Sequence, residues 1–241
     1  MEHFDSLIIV AVAALIHASF QLSVSVLTLL SSHTLGAKRS QGKLLRLTNS
    51  YTAGVAVMTA FLVSFGAVLV NGVFGKAVPA IWWVGLCGLL FGLGVSVWLL
   101  YYRKEKGTSL WVPRSMARHL SERTKATKYS AEAFSLGLAS VIGELLFIAG
   151  PVLVTVFTLI KLPAAWQLGG VGVYTLISLL PLLIVDILVG SGHSIGRIQK
   201  WREDNKLFLQ FAAGTALFIL SFYLYVVQVL SPMVMATAGG V

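Results

Sequence analysis

The sequence predicts an all-α, polytopic membrane protein with six transmembrane helices, arranged as an inverted repeat of three plus three. Composition, the spacing of apolar segments and the distribution of positive charge predict this fold class. Hydrophobic residues make up 57% of the 241-residue chain, charged residues only 11%, and the mean hydropathy is +0.86. Soluble domains carry about 25% charged residues, so the composition argues against a soluble enzyme, a disordered protein and a nucleic-acid reader.

Six apolar segments are long enough to cross the ~30 Å hydrocarbon core of a bilayer, which requires about 20 helical residues. These segments cover residues 7–35, 48–72, 79–102, 131–161, 169–191 and 207–230. The first segment is long and lacks a basic n-region, which favours a retained span over a cleaved signal peptide. We therefore expect a single transmembrane domain over residues 1–241, located in the cell (inner) membrane.

The basic residues are distributed unevenly between the two sides of these segments. Of the 18 Lys and Arg residues, 16 lie in the stretches 35–47, 103–130 and 192–206, and only Lys76 and Lys161 lie elsewhere. An excess of Lys and Arg marks cytoplasmic loops, so the three basic stretches should be cytoplasmic and both termini outside. The net charge of +9 thus indicates topology, with no nucleic-acid partner expected.

The long polar loop 103–130 divides the chain into halves 7–102 and 131–230, with three spans each. An odd number of spans per half means that the halves insert with opposite orientation, as in an inverted repeat. The first and fourth spans are the longest, and both carry polar residues near their midpoints. The alternative is that six helices divide in this way by chance.

Glu144 is the strongest candidate functional residue. It lies in the middle of an apolar span, where an acidic side chain costs roughly 2.5–3.5 kcal/mol to insert. Such residues face a bundle interior or a wet cavity, and are protonated or paired. Either Glu144 belongs to a substrate or ion site, or it is a neutral hydrogen-bonding group that holds two helices together.

Two further polar features accompany Glu144. His17 and Gln21 are four residues apart on one face of the first span and form a polar stripe with Ser25 and Thr28. The stripe predicts a pore-lining face, whereas His17 alone is as well explained as a satisfied core histidine. Asp186, near the cytoplasmic end of the fifth span, is either a gate acid or a helix-end anion paired with Arg197 or Lys200.

Helix breaks are predicted at two prolines. Gly150 and Pro151 follow Glu144 by two turns, and Pro151 cannot donate a hydrogen bond to the carbonyl of Phe147. Pro181 interrupts the fifth span in the same way. Broken helices at mid-membrane often line substrate sites, although transmembrane helices also tolerate ordinary proline kinks.

Other segments predict packing and surface contacts. Gly88 and Gly92 have the small-xxx-small spacing that allows helices to approach closely. Residues 110–126 pattern as a short amphipathic helix that would lie on anionic lipids at the cytoplasmic surface. The oligomeric state is left open, with a homo-oligomer among the partners to consider.

The sequence contains no recognisable catalytic pattern. A P-loop, a dinucleotide-binding fingerprint and zinc-ligand spacing are all missing, and no acid, nucleophile and base share one plausible plane. The one cysteine, Cys87, excludes an internal disulfide and a dithiol redox pair. We therefore expect no enzyme activity, no catalytic residues, no cofactor and no metal site.

Several segments resemble the transmembrane family of cytochrome c biogenesis and disulfide-reductant proteins, the CcdA/DsbD type within the lysine-exporter (LysE) superfamily. Residues 133–140 followed by Gly150-Pro151 resemble the family's fourth helix, 83–94 its third and 208–214 its sixth, while 36–42 is similar to the basic first loop of amino-acid exporters. The likeness covers most of the chain but consists of small and apolar residues. It implies an inverted three-plus-three repeat with both termini outside.

The chain departs from this family at its redox positions. The redox members carry one Cys in the first helix and one in the fourth, but the matching stretches here, 17–22 and 143–147, contain none. A thiol-disulfide relay is therefore excluded for this chain acting alone. The remaining expectation is a transporter of a small solute or ion, with a midplane site between the two halves. The alternative is a non-transporting scaffold or accessory subunit of a membrane complex.

Overall fold

The computed structural model describes residues 2–20, 41–100, 122–124, 127–191, 200–201 and 204–238. This part of the chain is helical and contains no strand. Its helices are α1 (Glu2–Ser19), α2 (Gln41–Phe74), α3 (Ala80–Leu100), α4 (Ser130–Leu159), α5 (Ala164–Ser178), α6 (Leu180–Gly190), α7 (Lys206–Tyr225) and α8 (Ser231–Ala238), with a π-helical turn (Val226–Leu230) between α7 and α8. The all-α class predicted from the sequence is confirmed.

Four helical segments are long and apolar enough to cross a membrane. They are Gly42–Phe74, Ala80–Leu99, Ser130–Leu159 and Leu207–Met235. Helices α5 and α6 form a fifth candidate if the two together count as one bent span. The described part therefore has four or five spans by length and composition, consistent with a membrane-embedded protein.

The first predicted span is described only in part. Helix α1 is apolar from His3 to Ser19, but it is shorter than a full span, and residues 21–40 lie outside the described part of the chain. Gln21, Ser25 and Thr28 of the predicted polar stripe fall among those residues. Most of the predicted lipid-binding segment 110–126 also lies outside the described residues.

Helix α4 is continuous through Gly150 and Pro151, so the break predicted there does not occur. Transmembrane helices tolerate proline where neighbouring helices and local adjustments satisfy the freed carbonyl, here that of Phe147. Gly150 serves close packing instead, because a Cβ atom there would lie 2.7 Å from Leu90 on α3.

The fifth span does bend, by 51° between α5 and α6. The last hydrogen bond of helix α5 is donated by the Leu179 N–H to the Thr175 carbonyl, at 3.1 Å. Pro181 has no N–H to continue this ladder at the Ile177 carbonyl, and its ring suits the first turn of the new helix α6. The bend thus lies where Pro181 was expected to interrupt the span.

Helices α2 and α4 form the most extensive interface of the described bundle. Glycines permit their close approach on both sides: a Cβ on Gly54 would overlap the Phe134 carbonyl, and one on Gly137 would overlap the Tyr51 carbonyl. Gly54 thus faces Phe134, three residues before Gly137, and Gly137 faces Tyr51, three residues before Gly54. The small-residue packing expected for membrane helices is therefore concentrated at this crossing.

The packing face predicted at Gly88 and Gly92 is wrong for the described bundle. A Cβ atom on either glycine would meet no atom within 4 Å, whereas one on Gly94 would lie 3.1 Å from Phe218 of α7. Helix α3 packs on α7 through the face that carries Gly94 and buried Cys87, whose carbonyl accepts a 2.9 Å hydrogen bond from Ser221. Gly88 and Gly92 lie on the opposite, exposed side.

The remaining interhelical contacts complete the bundle. Helix α1 contacts α4, α5 and α7; α2 also contacts α5 and α6; and α3 also contacts α4. Helices α1, α4 and α5 therefore meet in the middle of the molecule, with α2 and α6 beside them. The polar residues singled out in the sequence lie at this meeting point.

Candidate functional site

Three helices bring one titratable or polar side chain each to a common buried point. His17 comes from the last turn of α1, Glu144 from the middle of α4 and Tyr174 from α5; they are 4%, 3% and 0% exposed. The Tyr174 hydroxyl lies 3.0 Å from His17 Nδ1, and His17 Nε2 lies 3.8 Å from Glu144 Oε2. The structure thus brings together two of the residues predicted from the sequence.

Helical periodicity places Glu144 at this point. The buried residues of α4 include Gly137, Ser140, Val141, Glu144 and Ile148, which recur every three or four positions and share one face. That face packs against α1 and α2. Glu144 is therefore directed into the bundle and away from the position that lipid would occupy.

The arrangement can hold a proton in more than one place. In one neutral tautomer of His17, an N–H at Nε2 faces Glu144 and Nδ1 accepts a hydrogen bond from the Tyr174 hydroxyl; in the other, Nδ1 donates to the Tyr174 oxygen and Nε2 can accept from a protonated Glu144. With protonated His17, Nδ1 donates to the Tyr174 oxygen and Nε2 faces a carboxylate. The Tyr174 hydroxyl satisfies Nδ1 in both states, because a hydroxyl can donate or accept.

A small pocket lies directly beside this pair. The pocket is partly open to the surroundings, and the space in it that water can reach is about that of one molecule. Its lining combines the polar residues His17, Thr59, Glu144 and Ser178 with the apolar residues Ala18, Phe20, Val55, Pro181 and Leu182. The pocket therefore lies between α1, α2 and α4 and the bend that joins α5 to α6.

Thr59 contributes an unsatisfied hydroxyl to the pocket lining. Its side chain is 1% exposed, and its Oγ1 atom has no hydrogen-bond partner among the described residues. A buried hydroxyl without a partner costs roughly 1–3 kcal/mol, so such atoms normally accompany a water molecule or ligand. The Thr59 hydroxyl is therefore available to bind a water molecule in the pocket.

Asp186 occupies a separate position, and its predicted partner is different. Its Oδ2 atom accepts a 2.6 Å hydrogen bond from the Thr52 hydroxyl of α2, and Thr48 also faces the carboxyl group. It forms no ion pair with Lys200 or any other described residue; Arg197, the other predicted partner, lies outside the described part. The helix-end ion pair predicted with Lys200 is therefore wrong, because the carboxylate points between α2 and α6.

Sequence reasoning missed Tyr174, Thr59 and Ser178. Tyr174 and Ser178 are four residues apart on α5, and this spacing could have indicated a polar face. Isolated hydroxyl residues are common in transmembrane helices, however, so the spacing alone would not have separated these residues from helix-packing groups. Only the positions of α1 and α4 against α5 identify them.

Metal chemistry finds no support within the described ranges. No three His, Cys, Asp or Glu side chains of this part lie close enough together to hold a metal ion.

Comparison with protein-family models, curated proteins and solved structures gave no match.

Proposed function

We propose that the protein is a proton-coupled membrane transporter of a small solute or ion. The observation that carries this proposal is the pocket lined by both Glu144 and His17, next to the bend between α5 and α6. A buried carboxyl group and imidazole within ion-pair distance can exchange a proton, and membrane-embedded acids commonly lie on such pathways. The bend provides an element whose angle could respond to occupancy of the site.

The contact pattern supports an inverted repeat as part of this proposal. In such a repeat α1 corresponds to α4, α2 to the bent pair α5 and α6, and α3 to α7. The repeat relates the contact of α2 with α4 to that of α5 with α1. It likewise relates the contact of α1 with α7 to that of α4 with α3. All four contacts are present. A site where α1 meets α4 would then lie on the symmetry axis, as in other inverted-repeat transporters.

The proposal retains several expectations from the sequence. The basic loops are cytoplasmic, the termini are outside, and the segment 110–126 binds anionic lipids of the inner membrane. Membership of the lysine-exporter superfamily without redox cysteines is compatible with this assignment and remains part of the proposal.

A non-transporting scaffold is the second candidate function. The observation that favours it is the small size of the pocket, which holds only about one water molecule. In that case the His17–Glu144 pair would hold α1 against α4 and would not move protons.

Proton flux in liposomes separates the two functions. The purified full-length protein is reconstituted with a trapped pH-sensitive dye, and small organic cations, amino acids and alkali-metal ions are added outside one at a time. A transporter moves protons when its solute is added, and Glu144→Gln, which keeps the shape but cannot titrate, abolishes this movement. Glu122→Gln, which alters an exposed carboxylate outside the spans, is the matched control and should behave as wild type. No solute-dependent proton movement with any member of the panel would favour the scaffold.

A further inference from the structure

A row of hydroxyl groups on α2 connects the two acidic positions of the bundle. Thr48, Thr52 and Thr59 are buried and separated by four and seven residues, so they share one face of the helix. Thr59 lines the pocket beside Glu144, and Thr52 donates to Asp186. The polar line runs for about 16 Å along α2, at 1.5 Å per residue.

Helix α6 follows this row in the antiparallel direction. Thr52 lies opposite Asp186, while Val55 and Thr59, further along α2, line the pocket with Leu182 and Ser178, which precede Asp186 in the chain. Asp186 is therefore one helical turn from the pocket lining, about 6 Å along the axis. Val55 and Leu182 are the apolar side chains of that intervening turn.

Unsatisfied oxygen atoms lie on both sides of these two apolar side chains, at Thr59 and at Asp186, whose partner Thr52 is seven residues or about 10 Å from Thr59 along α2. Thr59 Oγ1 at the pocket and Asp186 Oδ1 have no hydrogen-bond partner among the described residues. No described Lys, Arg or His forms an ion pair with Asp186, and the groups of α2 that face it are the Thr48 and Thr52 hydroxyls. Thr59 can therefore hydrogen-bond a water molecule, and Asp186 Oδ1 can accept a hydrogen bond from water or bind a proton.

We propose that Asp186 is a second proton-binding carboxyl group, which exchanges protons between the pocket and the end of the bundle where the basic loops lie. This inference builds on the proton exchange at His17 and Glu144 in the proposed function. A proton leaves the Glu144 carboxyl group and a proton binds the Asp186 carboxylate, so that Glu144 becomes charged and Asp186 neutral. The pocket has room for about one water molecule, which Thr59 can bind, so further water must enter past Val55 and Leu182 to carry the proton to Asp186.

Infrared spectroscopy after a pH jump tests this inference on the full-length protein in lipid. The Glu144 carboxyl band is the one that disappears in Glu144→Gln, and the Asp186 band is the one that disappears in Asp186→Asn. The inference expects Asp186→Asn to slow the response of the Glu144 band by roughly 100-fold, a typical contribution of a positioned proton-transfer group. The final amplitude of the Glu144 band should be retained, since its own surroundings are unchanged.

Two further variants guard against an unfolding effect of Asp186→Asn. Thr52→Val removes the hydroxyl bound to Asp186 while keeping the shape, and should slow the response in the same direction. Ser221→Ala removes a buried hydroxyl of α7 that lies away from this path, and should leave the rate unchanged. An unchanged rate in both Asp186→Asn and Thr52→Val, or a Glu144 band that does not respond to pH at all, would overturn the inference.

The same measurements separate this inference from the proposed function. If no solute drives proton movement in liposomes but the Glu144 response still depends on Asp186, the proton path exists and the transport function fails. If solute-dependent proton movement depends on Glu144 but the Glu144 response is independent of Asp186, transport stands and Asp186 is not on the path.

Discussion

His17 Nε2 lies 3.8 Å from Glu144 Oε2, within ion-pair distance but beyond the usual N–H···O hydrogen-bond range of 2.7–3.2 Å. Both side chains are almost fully buried, and the adjoining pocket holds about one water molecule. Protonation of His17 beside a charged Glu144 would make this contact a buried ion pair between α1 and α4. Whether the pair exchanges protons or only holds the two helices together is decided by variants of its neighbours.

Tyr174→Phe tests whether the hydroxyl bound to His17 serves proton exchange. The variant loses the 3.0 Å contact with Nδ1 and leaves a buried ring nitrogen unsatisfied, which should destabilise the protein by about 1–3 kcal/mol. It should also change the pH profile of solute-driven proton movement, because Nδ1 then lacks a partner in both states and the charged N–H of protonated His17 is the costlier group to leave unpaired. Thermal unfolding and flux at several pH values measure the two effects.

Tyr51→Phe is the matched control for this variant. Tyr51 is equally buried and donates a 2.9 Å hydrogen bond to Ser140, but neither residue lines the pocket. It should lose stability and keep the wild-type pH profile. If the pH profile of the Tyr174→Phe protein also matches that of wild type, the Tyr174 hydroxyl has only a structural role.

The glycines of the membrane helices give a second contrast. Gly137→Ala places a methyl group against the Tyr51 carbonyl at the α2–α4 crossing, and should destabilise the protein by about 1–3 kcal/mol, as overpacking of a tight interface does. Gly88→Ala adds a methyl group where no atom lies within 4 Å, and should be tolerated or slightly stabilising, because Ala favours helix. Thermal unfolding of both variants in the same lipid provides the comparison. Equal destabilisation would mean that Gly88 lies in a contact of its own, such as one with a second copy of the chain.

The sequence singled out two residues that the structure brings together, but not the helices that surround them. His17 and Glu144 stood out because polar residues in apolar spans are expensive, and that argument needs no knowledge of the partner helices. Tyr174 and Thr59 could not be identified, because their importance depends on which helices pack together. The break expected at Pro151 and the bend found at Pro181 have the same local cause, the missing N–H group. The local sequence therefore does not decide between the two outcomes, and the packing around Pro151, where Gly150 lies against Leu90 of α3, could not be known from it.

The orientation of the chain is the last prediction, and the proton path depends on it. Cys87→Ser removes the one native cysteine, and single cysteines are then introduced in place of Glu122 and Lys76. Glu122 lies in the loop that carries the largest group of basic residues, while Lys76 lies in the turn between α2 and α3, where Gly75 adopts φ of +62°. The positive-inside rule places Glu122 in the cytoplasm and Lys76 outside. A membrane-impermeant thiol reagent should therefore label the Lys76→Cys protein in intact cells, and the Glu122→Cys protein only after the cells are opened.

The opposite labelling would mean that the chain has the reverse orientation, so that Asp186 would lie toward the outer surface. Labelling of both positions from outside would mean an even number of crossings between them, which contradicts the three-plus-three division and with it the inverted repeat.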